Sequence, residues 1–181
     1  EVAGTFAYTD GPDLGGDGIR AIDVSQVAAP REISSLRAGL VSGIAVAGDY
    51  AYMAGQDLQV VSLPALRSGQ GTAAIVGSHK PLLQLAKSVV SSGNRAYVVD
   101  QSLFSARLIA VDVSQPAAPA VLGSVLLERN ASDHCGVAEA IGYGGGHAYV
   151  LCNSGIWTAK VGDPQKPALA GTLSLAAYDI V

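Results

Sequence analysis

Two twelve-residue stretches of this chain are nearly identical, and this repetition constrains the fold more than any other feature. IRAIDVSQVAAP begins at Ile19, and LIAVDVSQPAAP begins at Leu108, 89 positions later. An Ala-Tyr dipeptide recurs four times, beginning at Ala7, Ala51, Ala96 and Ala148. The steps between its copies are 44, 45 and 52 residues, and a glycine stands three positions before each alanine. Self-similarity at such a period indicates a repeat architecture built of small supersecondary units.

Each repeat predicts four short strands. Its apolar runs are rich in Val, Ile, Ala and Tyr and are separated by turn residues, which is typical of strands. The stretch IAVAGDYAYMA, from Ile44 to Ala54, is a predicted hairpin with its turn at Gly48 and Asp49. The run from Leu108 to Val113 is apolar almost throughout, so a neighbour must cover it on both sides. The sequence therefore predicts an all-β protein, a β-propeller of four blades of about 45 residues and four strands each.

The repeat boundaries predict how the blades divide the chain. The repeats span about 1–40, 41–85, 86–136 and 137–176, and residues 177–181 start a further blade or complete the first one. Joined end to end, DIV and EVAGTFAY align with SGIAVAGDYAY without a gap. Two arrangements follow, a closed four-bladed ring or a fragment of a larger propeller, and we favour the fragment. The stretch PLLQLAKSVV could start a helix at its proline, but the repeat places residues 86–92 on a strand.

The third copy resembles a known repeat family. LIAVDVSQPAAPAVLGS, with GNRAYVVD upstream, is similar to the LVIVD repeat, which has a Gly-x-x-Ala-Tyr hairpin and a Val-Asp-Val-Ser-x-Pro-x-x-Pro strand exit. Copies two and four depart from this pattern, with Ser-Leu-Pro at 62–64 and Lys-Val-Gly at 160–162. The resemblance implies a β-propeller, commonly on secreted or cell-surface bacterial proteins, and it implies no catalytic residues.

Charge and hydropathy exclude two classes of partner. Charged residues make up 14% of the chain, well below the usual quarter, as expected where sheets cover one another. The 11 Lys and Arg residues are scattered and the net charge is −4, which argues against nucleic-acid binding. No apolar run approaches the ~18 residues of a membrane span.

Three aspartates in one loop are a candidate metal site. Asp10, Asp13 and Asp17 lie in TDGPDLGGDG, and carboxylate oxygens suit Ca²⁺. Their spacing does not match the EF-hand loop, so a solvated loop without any cofactor is the alternative that we favour.

The two cysteines form a predicted disulfide. Cys152 ends the second strand of a hairpin that turns near Gly145, so it should lie opposite Ala138 and close to Cys135. Closing a loop of about 15 residues would contribute ~3 kcal/mol. Such a bond requires an oxidising compartment, which predicts a secreted, periplasmic or cell-surface location.

The glycine-rich GYGGGHAY is then a hairpin turn, because a phosphate loop would lie between a strand and a helix.

Two Asp-Val-Ser triplets look like paired acids and nucleophiles but have a structural explanation. Asp23 and Asp112 lie at strand exits before a proline turn, where such side chains accept hydrogen bonds from backbone amides.

One polar position recurs near the start of each first strand, at Ser42, Lys87, Glu139 and Asp179. If the first strands line a central channel, Glu139 and Asp179 could hold a cation or small polar ligand while Lys87 binds an anionic group. The alternative is a solvated channel rim that binds only water.

These observations favour a non-catalytic extracytoplasmic propeller that acts as a scaffold for a protein or a glycan. The missing blades of a larger propeller are a further candidate partner. The alternative is a propeller enzyme, a metal-assisted hydrolase or lyase with its site at the channel mouth, although the sequence shows no convergent acid, base and nucleophile.

Overall fold

The computed structural model describes residues 1–11, 18–80, 85–102 and 105–174, and its strands form four antiparallel four-stranded sheets, each with its strands in sequence order. Sheet 1 consists of β1 (Val2–Ala3), β2 (Phe6–Asp10), β3 (Gly18–Asp23) and β4 (Arg31–Arg37). Sheet 2 consists of β5 (Val41–Ala47), β6 (Tyr50–Gly55), β7 (Leu58–Ser62) and β8 (Ile75–His79). A short helix, α1 (Leu63–Arg67), and a 3₁₀ turn (Gly71–Ala74) lie between its last two strands.

The second half of the chain repeats this topology. Sheet 3 consists of β9 (Leu85–Ser92), β10 (Arg95–Gln101), β11 (Ala106–Asp112) and β12 (Ala120–Leu126). A small hairpin of β13 (Glu128–Asn130) and β14 (Asp133–His134) follows. Sheet 4 consists of β15 (Ala138–Gly144), β16 (His147–Cys152), β17 (Gly155–Lys160) and β18 (Ala168–Ser174). Residues 86–92 are therefore strand, as the repeat predicts, and not helix.

Three apolar layers hold the four sheets in a row. Tyr8 and Ile19 of sheet 1 pack with Met53 of sheet 2, and the reverse face of sheet 2 packs on sheet 3. Trp157 of sheet 4 lies in the third layer, against sheet 3. Since successive side chains of a strand point to opposite faces, a strand covered on both sides must be apolar throughout. Residues 96–99 of β10 are accordingly apolar and buried, and the buried Asp100 that follows accepts a hydrogen bond from the Leu85 backbone N–H at 3.2 Å.

Glycines on the outer strands let the next sheet approach closely. A Cβ atom on Gly77 of β8 would lie 2.0 Å from the carbonyl oxygen of Pro116, in the loop after β11. A Cβ atom on Gly123 of β12 would lie 2.7 Å from the carbonyl oxygen of Gln165, in the corresponding loop of sheet 4. Each loop therefore fits against a position of the preceding sheet that only glycine can occupy.

Helix α1 replaces the strand-exit turn in the second repeat, which is a feature that the sequence did not predict. Ser62 caps the helix by accepting a hydrogen bond from the Ala65 backbone N–H at 3.4 Å, and a proline lies in the first turn. Arg67 at its end donates to the Tyr8 hydroxyl at 2.7 Å and lies 4.9 Å from the centre of the Phe6 ring. The helix therefore fastens sheet 2 to sheet 1.

The described residues form an open row of sheets, so the closed four-bladed ring is not what the structure shows. The packing layers join sheet 1 to sheet 2, sheet 2 to sheet 3, and sheet 3 to sheet 4. Within the described ranges, no comparable layer joins sheet 4 back to sheet 1. Helices in the described part of the chain are too short to span a membrane.

Candidate functional site

The first strands of sheets 2, 3 and 4 lie side by side, and each carries a β-bulge at the same place. The register of β5 on β6 skips Ser42, that of β9 on β10 skips Lys87, and that of β15 on β16 skips Glu139. These are the three described members of the predicted polar set; Asp179 lies outside the described residues. Because a bulge re-aims the side chain of the extra residue, the three positions share a backbone conformation that the neighbouring positions lack.

The first strands approach one another closely at these bulges. A Cβ atom on Gly43 would lie 2.9 Å from the Cα atom of Ser88, so strands β5 and β9 are nearly in backbone contact there. Lys87 is half-buried and Glu139 is exposed. Within the described residues, neither Lys87 nor Glu139 forms an ion pair. Both charged groups are therefore available to a ligand.

A second constellation lies at the opposite, hairpin-turn end of the same first strands, between sheets 3 and 4. It is a cleft of about 410 Å³ whose polar lining comprises Asn94, Arg95, Asp112, Ser114, Asp163 and Gln165. We call it the sheet 3–4 cleft. The lining offers both charges together with amide and hydroxyl groups, so it can donate and accept several hydrogen bonds at once.

Aspartates fix the loops that form this cleft. Asp112 accepts a hydrogen bond from the backbone N–H of Ser114 at 2.8 Å, and Asp163 accepts one from the backbone N–H of Gln165 at 3.1 Å. The Ser114 backbone and hydroxyl hold the pKa of Asp112 below its ordinary value of 3.8, and the charge of Arg95 lowers it further. The predicted capping role of the Asp-Val-Ser triplets is confirmed here.

The first repeat contains the same turn. Asp23 accepts a hydrogen bond from the Ser25 backbone N–H at 2.9 Å, and hydrogen bonds from Ser25 lower the pKa of Asp23. Neither aspartate is placed next to an activated serine, because in both turns the serine serves the carboxylate as a hydrogen-bond donor.

An equivalent cleft, of about 420 Å³, lies between sheets 2 and 3. Its lining includes Asp49, Tyr50, Tyr52 and Asn94. Burial raises the pKa of Tyr52 above its ordinary value, with a smaller effect of Tyr50. The hairpin-turn end of the sheets thus presents two similar clefts, one between sheets 2 and 3 and one between sheets 3 and 4.

The insertion before sheet 4 is fixed by a disulfide. Cys135 and Cys152 are bonded, with their Cα atoms 5.3 Å apart, which is the pairing that the sequence predicts. Cys152 is also the register partner of Ala138, as expected from the hairpin. Ser154 donates to the carbonyl oxygen of Cys135 at 3.0 Å and accepts from the Trp157 indole N–H at 3.0 Å.

Of the three aspartates in the candidate metal loop, Asp10 is the one within the described residues. Asp10 is exposed at the end of β2 and lies within 3.5 Å of the Thr9 hydroxyl, whereas Asp13 and Asp17 lie outside the described residues. Among the residues that are described, no three His, Cys, Asp or Glu side chains converge on one point. The glycine-rich segment is a turn, with positive φ angles at Gly145 and Gly146 between β15 and β16, as predicted.

Solved structures with this arrangement of sheets are numerous but distant in sequence. The computationally designed Ika8 protein superposes with a TM-score of 0.64 at 11% identity, over 92% of this chain and 47% of Ika8. A protein of Bacteroides uniformis with a provisional assignment as a 6-phosphogluconolactonase gives 0.67 at 13% identity, over 94% of this chain and 54% of its own. The WD40 beta propeller domain of Doa1 gives 0.52 at 9% identity, over 96% and 68%.

These likenesses show the fold alone, and the chain spans about half the length of the first two proteins. No curated protein sequence matches the chain significantly. The model of the LVIVD repeat matches residues 38–62 and 85–126, which correspond to β5–β7 and to the whole of sheet 3. Two segments of the chain therefore match the LVIVD repeat, within an all-β, propeller-like fold.

Proposed function

We propose that the four sheets are four blades of an extracytoplasmic β-propeller that acts as a non-catalytic scaffold and binds a protein or a glycan at its hairpin-turn end. The observation that carries this proposal is the sheet 3–4 cleft, in which fixed loops present Arg95, Asp112 and Gln165 together. Preorganised donors and acceptors reduce the entropy that binding costs. Neighbouring hydroxyls of a sugar match such paired groups, so the cleft favours a glycan over a peptide.

The disulfide supports the proposed location. Cys135 and Cys152 are both buried, and such bonds persist outside the cytoplasm rather than in it. A secreted, periplasmic or cell-surface protein would meet glycans and other exported proteins as its partners.

A glycan array probed with the full chain, followed by calorimetry on the best ligand, tests this function. Arg95→Ala and Gln165→Ala should each weaken binding at least tenfold, the loss expected for a hydrogen bond to a charged group or for a paired amide. Arg37→Ala, a change of an exposed arginine on β4, is the matched control and should leave the affinity unchanged. Binding that survives both cleft substitutions would place the ligand elsewhere and contradict the proposal.

The alternative function, an enzyme, depends on the bulged positions of the first strands in sheets 3 and 4. Lys87 and Glu139 would there bind substrate or a metal ion at the mouth of the channel, in a hydrolase or lyase. Turnover of lactone or ester substrates that Glu139→Ala abolishes and Arg95→Ala leaves intact would favour this enzyme over the scaffold.

Calcium titration by calorimetry separates the two predicted cation positions. Alanine at Asp13 should remove binding by the aspartate loop of Asp10, Asp13 and Asp17. Alanine at Glu139 or Asp179 should remove binding at the channel. A heat of calcium binding that neither substitution changes would refute both cation positions. If no heat of binding is measured, the aspartate loop and the channel rim bind only water.

A further inference from the structure

Sheet 4 leaves uncovered the face that the other sheets bury. Tyr97 and Val99 of β10 are both 0% exposed beneath sheet 4, whereas the equivalent Tyr149 and Leu151 of β16 are 45% and 38% exposed. These two residues hold the same places after the Ala-Tyr hairpin as their buried counterparts. The apolar pattern of the interface therefore continues into sheet 4, although nothing in the described part of the chain lies on it.

The glycine position of the outer strand shows the same difference. In sheets 2, 3 and 4, the third-strand residue that pairs with the tyrosine of the Ala-Tyr dipeptide also pairs with a glycine of the outer strand. These glycines are Gly77, Gly123 and Gly171. The first two receive the backbone of the next sheet's loop. A Cβ atom on Gly171 would have nothing within 4 Å among the described residues. Sheet 4 thus has the glycine position that would accept a loop from a next sheet, and no described residue occupies it.

Sheet 1 carries the opposite half of this contact. Val27 has the place in the first repeat that Pro116 has in the third, within IRAIDVSQVAAP and LIAVDVSQPAAP. Pro116 lies against Gly77 of the preceding sheet. Among the described residues, no sheet precedes the one that carries Val27, which is 91% exposed. On the same side, Ala7 and Ile22 are only partly buried.

We propose that the open face of sheet 4 docks onto the open face of sheet 1 in a second copy of this chain, with the Val27 loop of one copy against Gly171 of the other. Applied twice about a two-fold axis, this contact closes a ring from two copies. Two structures of this fold are about twice as long as the chain, since 92% of the chain covers 47% of Ika8 and 94% covers 54% of the Bacteroides uniformis protein. The inference does not depend on the proposed glycan cleft.

The size of the faces is sufficient for a stable dimer. Strands of about six residues at ~3.3 Å per residue, four abreast at ~4.8 Å, give a face on the order of 400 Å². A ring of two copies contains two such contacts, and each contact covers two faces. The four faces together would bury about 1,500 Å², within the ~1,200–2,000 Å² of specific, stable interfaces.

Light scattering coupled to size exclusion, with the full chain, tests the proposal. The wild type should have twice the monomer mass of 18.3 kDa at micromolar concentration. Gly171→Val should weaken the dimer at least a hundredfold, because the added side chain fills the position that the Val27 loop needs. It should leave the monomer folded, since the space is open there. Ser124→Val is the control: Ser124 is exposed on the outer strand of sheet 3, which lies inside the row, and this variant should remain dimeric.

A second variant distinguishes lost docking from a lost fold. Val27→Asp changes an almost fully exposed side chain and should also give a monomer, with an unchanged circular dichroism spectrum and a cooperative unfolding transition. An equimolar mixture of Gly171→Val and Val27→Asp should recover one of the two contacts and form a heterodimer. A wild type that stays monomeric up to about 0.1 mM overturns the proposal. A dimer of wild-type strength in both variants overturns it as well.

Discussion

Substituting the outer-strand glycines by alanine tests whether loop-on-sheet contacts hold the row of sheets together. In Gly77→Ala, the new Cβ atom would lie 2.0 Å from the Pro116 carbonyl oxygen. The loop must retreat by about 1.4 Å to reach ordinary contact at 3.4 Å. In Gly123→Ala, the closest atom is the Gln165 carbonyl oxygen at 2.7 Å, so a retreat of about 0.7 Å suffices.

Overpacking of this kind typically costs ~1–3 kcal/mol, and alanine restores ~0.4–1 kcal/mol by restricting the unfolded chain. We therefore expect Gly77→Ala to lower the free energy of unfolding by about 2 kcal/mol and Gly123→Ala by about 1 kcal/mol. In a domain of this size, the former corresponds to a thermal midpoint that is ~4–8 °C lower.

Scanning calorimetry and urea unfolding of the full chain provide the measurement. Gly142→Ala is the control, because its Cβ atom would meet nothing within 4 Å; it should be as stable as the wild type or up to ~1 kcal/mol more stable. If Gly77→Ala were as stable as Gly142→Ala, close packing of the loops on the preceding sheets would not be what excludes a side chain at Gly77. An inverted order of Gly77→Ala and Gly123→Ala would contradict the use of these distances as a measure of strain.

Two further predictions concern the disulfide and the capped aspartates. Replacing Cys135 and Cys152 by serine opens a loop with a sequence separation of 17, and urea unfolding should show a loss of ~3 kcal/mol; an unchanged midpoint would contradict this. The folded pKa values of Asp23 and Asp112 lie below 3.8, so their stabilising effect is complete above that pH and disappears as the pH falls through the folded pKa. Asp23→Asn with Asp112→Asn should therefore flatten the acid limb of the stability profile, and an acid limb as steep as in the wild type would contradict it.

The repeat made the strands predictable, since the Ala-Tyr dipeptide set the register of every hairpin. The bulges at Ser42, Lys87 and Glu139 coincide with the polar position that sequence alignment of the repeats picked out. The disulfide followed from the same register, because Cys152 had to lie opposite Ala138. These features are local, and each depends on pairing between strands that are adjacent in the sequence.

Features that depend on contacts between repeats were not predictable. Helix α1 occupies a place where the repeat pattern is lost, and its burial of Leu63 and Leu66 against sheet 1 leaves no periodic signal in five residues. The sheet 3–4 cleft joins Arg95 to Gln165 across two repeats. A sequence pattern could have indicated this cleft only through the turn-forming aspartates that lie beside it.

The two ends of the row explain why the repeats diverge in composition. Gln59 and Ile109 occupy equivalent places in their sheets, opposite Met53 and Val98, and each faces an interface inside the row. In sheet 1, the same place is taken by Arg20, whose guanidinium lies 3.4 Å from the Glu32 carboxylate, so that an ion pair lies on the face that docks in the proposed dimer. The open face of sheet 4 instead keeps the tyrosine of an interior sheet, and it has Leu151 where sheet 3 has Val99. A face that keeps the side chains of a covered interface while exposing them is a face suited to a partner, and this asymmetry is what makes sheet 4, rather than sheet 1, the more informative place to mutate.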